Sequence, residues 1–151
     1  MVACMPRTPP HELPDTGYFH VIMRGAGPIA IFLDDHDRFA FLARLSEVAR
    51  RFSWTCRAYC LMATHVHVVV EAPLAAVSTG MHRLNGPYAQ RFNQRHGRTG
   101  HLFEARFTVR VIESEDYLSG VCDYVIQNPV RAGLCDHAAE WRWSGLAVDA
   151  G

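Results

Sequence analysis

Apolar and polar residues are spaced along the chain in ways that predict most of its elements. "YFHVIMR" (18–24) alternates with a period of two and predicts a strand that stops at Gly25. Behind the acidic cluster Asp34, Asp35 and Asp37, residues Phe39, Leu42, Leu45, Val48 and Phe52 recur every three or four positions. That spacing predicts an amphipathic helix over 34–52 whose N-terminal charges suit the helix dipole. The segment between them, "IAIFL" (29–33), fits either a short strand or a loop. "WTCRAYCLM" (54–62) and "HVHVVVE" (65–71) read as strands joined by Ala63-Thr64, hence a hairpin. From Ser78 to His96, Met81, Leu84, Tyr88 and Phe92 form one helical stripe, with Pro87 expected to kink or split the helix near Gly86. "HGRTGHLF" (96–103) reads as a loop and "RFTVRVI" (106–112) as a strand. A third helix follows, capped by Ser114, with Leu118, Val121, Cys122 and Val125 as its core stripe, and stopped at Asn128-Pro129.

The resulting order, β-α-β-β-α-β with an added helix, is the pattern of a ferredoxin-like antiparallel sheet, an α+β fold with helices packed on one face. The 151 residues suit one such domain, taken as 17–147, between a Pro-rich N-terminal arm (1–16) and a short tail (148–151).

Composition narrows the setting. No apolar run approaches the ~20 residues of a membrane helix, and the N-terminus lacks the apolar core of a signal peptide. Five cysteines (4, 56, 60, 122 and 135) are an odd number without a C-x-x-C pair, which favours reduced thiols in a cytoplasmic protein. The net charge is zero but unevenly spread: residues 79–112 carry six Arg against Glu104 alone, and residues 113–151 carry two Arg against seven acids. A local basic block of this kind suffices for phosphate contacts, and equally fits a solvated helix face balanced by the acidic region after it.

The candidate chemistry starts from "ATHVHVVVE" (63–71). Side chains at i and i+2 of a strand share a face, so His65, His67, Val69 and Glu71 point one way and Val66, Val68 and Val70 the other. The valine side suits the space under the long helices. Two neutral imidazoles about 7 Å apart on the other side can reach one divalent cation. A bare H-x-H is more often a pair of hydrogen-bonded strand histidines, and a metal reading needs a third ligand and an open position. Tyr124 and Asn128 stand at i and i+4 on the edge of the third helix's core stripe. Gly120, one turn earlier, leaves the approach to the phenol uncluttered. Taken alone, Tyr124 reads as a boundary tyrosine and Asn128 as a helix cap.

Taken together, "AYCLMATHVHVVVE", "RLNGPYAQRFNQRHGRTGHLFEARF" and "YVIQNPVRAGL", in this order, resemble the REP-associated tyrosine transposases, a family of HUH (His-hydrophobe-His) single-strand DNA transposases. "YFHVIMRG" is similar to the family's N-terminal strand, so the resemblance runs from Tyr18 to Trp143. It implies a ferredoxin-like catalytic domain, a Mg²⁺ or Mn²⁺ ion, and a tyrosine nucleophile. Carried over by position, His65 and His67 become metal ligands, Asn128 a third ligand, and Tyr124 the nucleophile. The implied reaction is attack of Tyr124 on a DNA phosphate, leaving a 5′-phosphotyrosine and a free 3′-OH that can later rejoin strands. Such an enzyme needs no nucleotide cofactor, and the chain has no P-loop. The implied partner is single-stranded DNA with a hairpin, met by a transposase or a domesticated relative working as monomer or homodimer. Arg24, Arg83, Arg91, Arg95, Arg98 and Arg106 are the candidates for DNA contact. A hairpin-binding protein without catalysis is the alternative. The chain departs from the family's pattern at Ala63-Thr64, where Pro-Asn is expected, and at Ala26, where Asn is usual.

Overall fold

The computed structural model describes residues 16–148, so the predicted arm, apart from Thr16, and residues 149–151 of the tail lie outside the described residues. Strands β1 (Gly17–Arg24), β2 (Thr55–Leu61), β3 (His65–Ala72), β4 (Thr108–Ile112) and β5 (Ser144–Val148) form one sheet in the order β4-β1-β3-β2-β5, every neighbour antiparallel. The first four strands, interleaved with helices α1 (Asp35–Arg51) and α2 (Leu74–His96), have the predicted ferredoxin-like order. Residues 29–33 are loop, with Ile31 and Phe32 buried in the core.

Strand β5 was not predicted. "SGLAV" is too short and weakly patterned to stand out, and pairing with β2 creates it: Ser144 lies opposite Cys60 and Leu146 opposite Ala58. It carries the sheet to Val148, one residue into the segment read as tail.

The two faces of the sheet are covered separately. Val66, Val68 and Val70 share the main core with Phe41, Leu45 and Val48 of α1 and with Met81, Leu84 and Tyr88 of α2. The opposite face carries a smaller cluster in which Ala58, Cys60 and Val69 meet Cys122 and Val125 of α3 (Glu115–Ile126). The added helix is therefore a third layer, and it covers the face that holds the histidines.

Several helix details differ from the sequence reading. Phe39 is 52 % exposed, and Phe41 replaces it on the buried stripe. The phase is set by Asp37, which is turned inward to accept from the Leu33 N–H (2.9 Å) and from Arg95 Nη1 (2.7 Å). Helix α2 begins at Leu74 instead of Ser78, its first turn held by Trp54 Nε1 donating to the Ala76 carbonyl (3.0 Å). It runs unbroken through Pro87. The missing N–H there leaves the carbonyl of exposed Arg83 to be hydrated, so the proline is tolerated. Ser114 occupies the N-cap position of α3 without a side-chain hydrogen bond. After Gln127 the chain makes a further turn, α4 (Asn128–Arg131), with Pro129 in its first turn.

Candidate active site on the sheet face beneath the third helix

Strand pairing determines which residues meet the two histidines. Opposite His65 stands Arg24, and opposite His67 stands Ile22 on one side and Cys60 on the other. His20 lies on the same face two residues from Ile22, diagonal to His67. The two rings stack at 5.1 Å with His20 Nε2 and His67 Nδ1 2.8 Å apart. The His65 and His67 rings are 5.0 Å apart, edge to face, and His65 Nδ1 lies 3.3 Å from the Thr64 hydroxyl. These contacts use one nitrogen of each ring and leave Nε2 of both His65 and His67 for another partner.

Burial determines their charge. Desolvation under α3, aided by the Arg110 charge, pushes the His20 pKa down to about 4. Burial, followed by the neighbouring His20 and His65, pushes His67 down to about 3. Burial and then Arg24 lower His65 as well. All three imidazoles are thus neutral at pH 7. In the His20–His67 bond the proton can sit on either ring. Only a proton on His67 Nδ1, donated to His20 Nε2, leaves the lone pair of His67 Nε2 available to a ligand.

Tyr124 projects from α3 over this face. It is half exposed, and its ring lies 6.3 Å from that of His20, edge on. Arg131, supplied by α4, places its guanidinium 3.9 Å from the Tyr124 ring centroid and donates to the Tyr124 carbonyl (2.8 Å). The main chain of the tyrosine and one face of its ring are thereby held by a single side chain. Asn128 is turned toward the end of α3, its amide donating to the Val125 carbonyl (3.1 Å). Among the described residues no three His, Cys, Asp or Glu side chains converge to hold a metal ion. The donor chemistry nonetheless fits a divalent ion in part: two neutral imidazoles on one strand face, with the other positions open to solvent or substrate.

The six candidate arginines do not form one patch. Arg24 stands beside His65, and the loop that begins at Gly97 is drawn to the same end of β1, where the Glu104 N–H donates to the Arg24 carbonyl (2.9 Å). Arg106 is exposed near the end of that loop. Arg83 and Arg91 are exposed on α2, in the other helical layer. Arg95 is engaged by both Asp34 and Asp37, each at 2.7 Å, and Arg98 by Asn93 Oδ1 at 3.1 Å. Tyr88, Phe92 and Phe103 are all buried. The two departures from the family's pattern lie together: the Gly25 N–H donates to the Thr64 carbonyl (2.9 Å), and Ala26 is the next residue.

The sequence reading missed His20, Arg110 and Arg131. Alternation in "YFHVIMR" puts His20 in phase with Tyr18 and Ile22, but only the β1–β3 register reveals its partner. Arg131 lies within "YVIQNPVRAGL" and its role depends on the turn after Gln127.

The three-layer α+β fold thus brings strand histidines and a helical tyrosine to one sheet face. The match to the family model "Transposase IS200 like" spans residues 15–128, and the chain belongs to that family. A Haemophilus influenzae protein described as a REP-associated tyrosine transposase is 22 % identical over 138 residues, covering 79 % of this chain and 78 % of that protein. The structure of a REP-associated tyrosine transposase bound to a REP hairpin superposes with a TM-score of 0.71 at 15 % identity, over 93 % of this chain and 82 % of the other. A crystal structure of a Deinococcus radiodurans protein described as a transposase gives a TM-score of 0.54 at 17 % identity, over 80 % and 95 % of the two chains. Among the described residues no helix is long and apolar enough to cross a membrane.

Proposed function

We propose that this chain cleaves and rejoins hairpin-bearing single-stranded DNA, with Tyr124 as nucleophile and a 5′-phosphotyrosine as the intermediate. The observation that carries the reading is the meeting of a half-exposed tyrosine on α3 with neutral strand histidines on one sheet face, in a member of the IS200-like transposase family. The relative bound to a REP hairpin supports the choice of DNA partner.

In this reading His65 and His67 would hold a divalent ion, Mg²⁺ or Mn²⁺. The ion would supply charge stabilisation at the attacked phosphate. His20 keeps the proton of His67 on Nδ1 and the ring at its angle. The Tyr124 phenol oxygen attacks phosphorus, the bond to the 3′ oxygen of the preceding nucleotide breaks, and the phenol proton passes by way of solvent to that departing oxygen, which leaves as a 3′-OH. Phosphorus stays linked to the 5′ side, so the bond energy is conserved and a 3′-OH can reverse the step. Arg131 limits how far Tyr124 can swing, and the developing phosphate charge lies within reach of a cation. Asn128 is assigned as a further ligand only if its amide leaves the Val125 carbonyl.

The test is incubation with hairpin-bearing single-stranded DNA and Mg²⁺ or Mn²⁺, followed by denaturing electrophoresis. A covalent protein–DNA adduct that is lost in Tyr124→Phe is expected. Cleavage that survives Tyr124→Phe would point to water as nucleophile, and tight binding without cleavage to a hairpin-binding protein.

A further inference from the structure

A groove of about 430 Å³ runs between the edge strand β4 and helix α3, lined by His20, Arg110, Ile112, Glu113, Tyr117 and Tyr124 among others. The proposed chemistry uses Tyr124 at one end of it and leaves the rest without a role. Tyr117 and Tyr124 stand at i and i+7, two turns apart on one helical face, with Val121 between them. Tyr117 is 66 % exposed, and its ring meets no other ring or cation among the described residues. Its ring therefore stands open to a partner at the groove wall. Arg110 is directly opposite His20 in the β1–β4 register, so its side chain rises on the groove side of the sheet. Unlike Arg95 and Arg98, its guanidinium makes no ion pair or hydrogen bond among the described residues.

We propose that this groove is a subsite for one nucleotide of single-stranded DNA, its base stacked on Tyr117 and its phosphate held by Arg110, next to the phosphate that Tyr124 attacks. The inference rests on the strand-cleavage reading for the position of the DNA, and goes beyond it in naming the groove and its two anchors. An aromatic face beside an unpaired cation is the pairing that holds single strands: stacking accepts any base, and the guanidinium takes the phosphate. Glu113, in the same groove, repels phosphate, so the phosphate is placed at the Arg110 guanidinium and away from that carboxylate. The open edge of the groove suits an unpaired strand. A base fixed at Tyr117 would also limit how the attacked phosphate presents itself to Tyr124, two turns along the same helix.

Binding is measured in a Tyr124→Phe background, so that no cleavage intervenes, with a hairpin oligonucleotide carrying a single-stranded flank and with the same hairpin trimmed of its flank. Tyr117→Ala is expected to weaken binding of the flanked oligonucleotide about 5- to 150-fold, the range supplied by stacking one base. Tyr117→Phe is expected to retain it, and the trimmed hairpin to bind both variants as it binds the parent. One abasic substitution in the flank should reproduce the loss in the parent and add nothing in Tyr117→Ala. Arg110→Gln should reduce the salt dependence by about the contribution of one phosphate. Unchanged affinity of Tyr117→Ala for the flanked oligonucleotide, or losses that add to every abasic substitution, would overturn the subsite while leaving adduct formation by Tyr124 intact. Failure to bind either oligonucleotide would overturn both readings together.

Discussion

Replacing His20 by alanine tests whether the second imidazole under α3 orients the first. His20 is 5 % exposed and His67 4 %, and their hydrogen bond of 2.8 Å is the contact on His67 Nδ1. Truncation removes one hydrogen bond, worth about 1 kcal/mol net, and leaves a buried ring nitrogen without its partner, at about 1–3 kcal/mol. A cavity term would normally add to this. Here the deleted ring lines an open groove, so water can follow it, which keeps the cavity term small and puts the cost of the nitrogen at the low end of that range. The expected cost is therefore about 2 kcal/mol, which at a urea dependence of about 2 kcal/mol/M moves the unfolding midpoint down by about 1 M. The effect on function should be larger than stability explains. Without an acceptor at position 20, His67 can turn or place its proton on Nε2, and adduct formation should fall about 10- to 100-fold under conditions where the variant is fully folded. His20→Gln, whose side-chain oxygen can accept from His67 Nδ1, should recover part of both losses. A midpoint within about 0.2 M of the parent, together with unchanged adduct yield, would refute the orienting role.

Two further predictions concern the frame around the site. A Cβ on Gly80 would fall 2.3 Å from Trp54 Cζ2, so Gly80→Ala should destabilise by about 1–3 kcal/mol in urea titrations although alanine is the better helix former; a stabilised variant would show that Trp54 can move aside. Asp34 is held below the usual carboxylate range by hydrogen bonds from Arg95 and the Asp37 N–H, and Asp37 is also lowered, because the Leu33 N–H, Arg95 and His96 outweigh its burial. A lowered folded-state pKa means stability that is fully present above the ordinary aspartate pKa, near 3.9, and is lost progressively as pH falls below that toward the lower folded-state value. The urea midpoint of Asp34→Asn should therefore lie below the parent's at neutral pH, by a gap that starts to narrow only below about pH 4 and keeps narrowing as the acid is strengthened; a gap of the same size at neutral pH and well below about pH 3 would argue against the Asp34 charge.

Local patterning was enough to predict the first four strands and the three long helices, in their order. Alternation in β1 and β3 and the three-to-four spacing in α1 and α2 are properties of a few consecutive residues, and backbone geometry turns them directly into faces. The split of β3 into a valine side and a histidine side follows from its period of two, and the structure has that split. The family resemblance picked out Tyr124, whose side chain carries no pattern of its own. What packing decided is of a different kind. Phe39 gave way to Phe41 because Asp37 found its donors on Leu33, Arg95 and His96, the last two nearly sixty residues away in sequence. Strand β5 exists because β2 offered it a free edge. His20 became the partner of His67 because antiparallel register laid β1 against β3, and no spacing along the chain encodes a distance between strands. Arg95, one of the cations marked for DNA, was claimed by two carboxylates, while Arg110, on an edge strand, has no such partner among the described residues. Periodicity fixes which way a side chain points; only the folded chain decides what it meets there, and for charged and titratable groups that meeting is the chemistry.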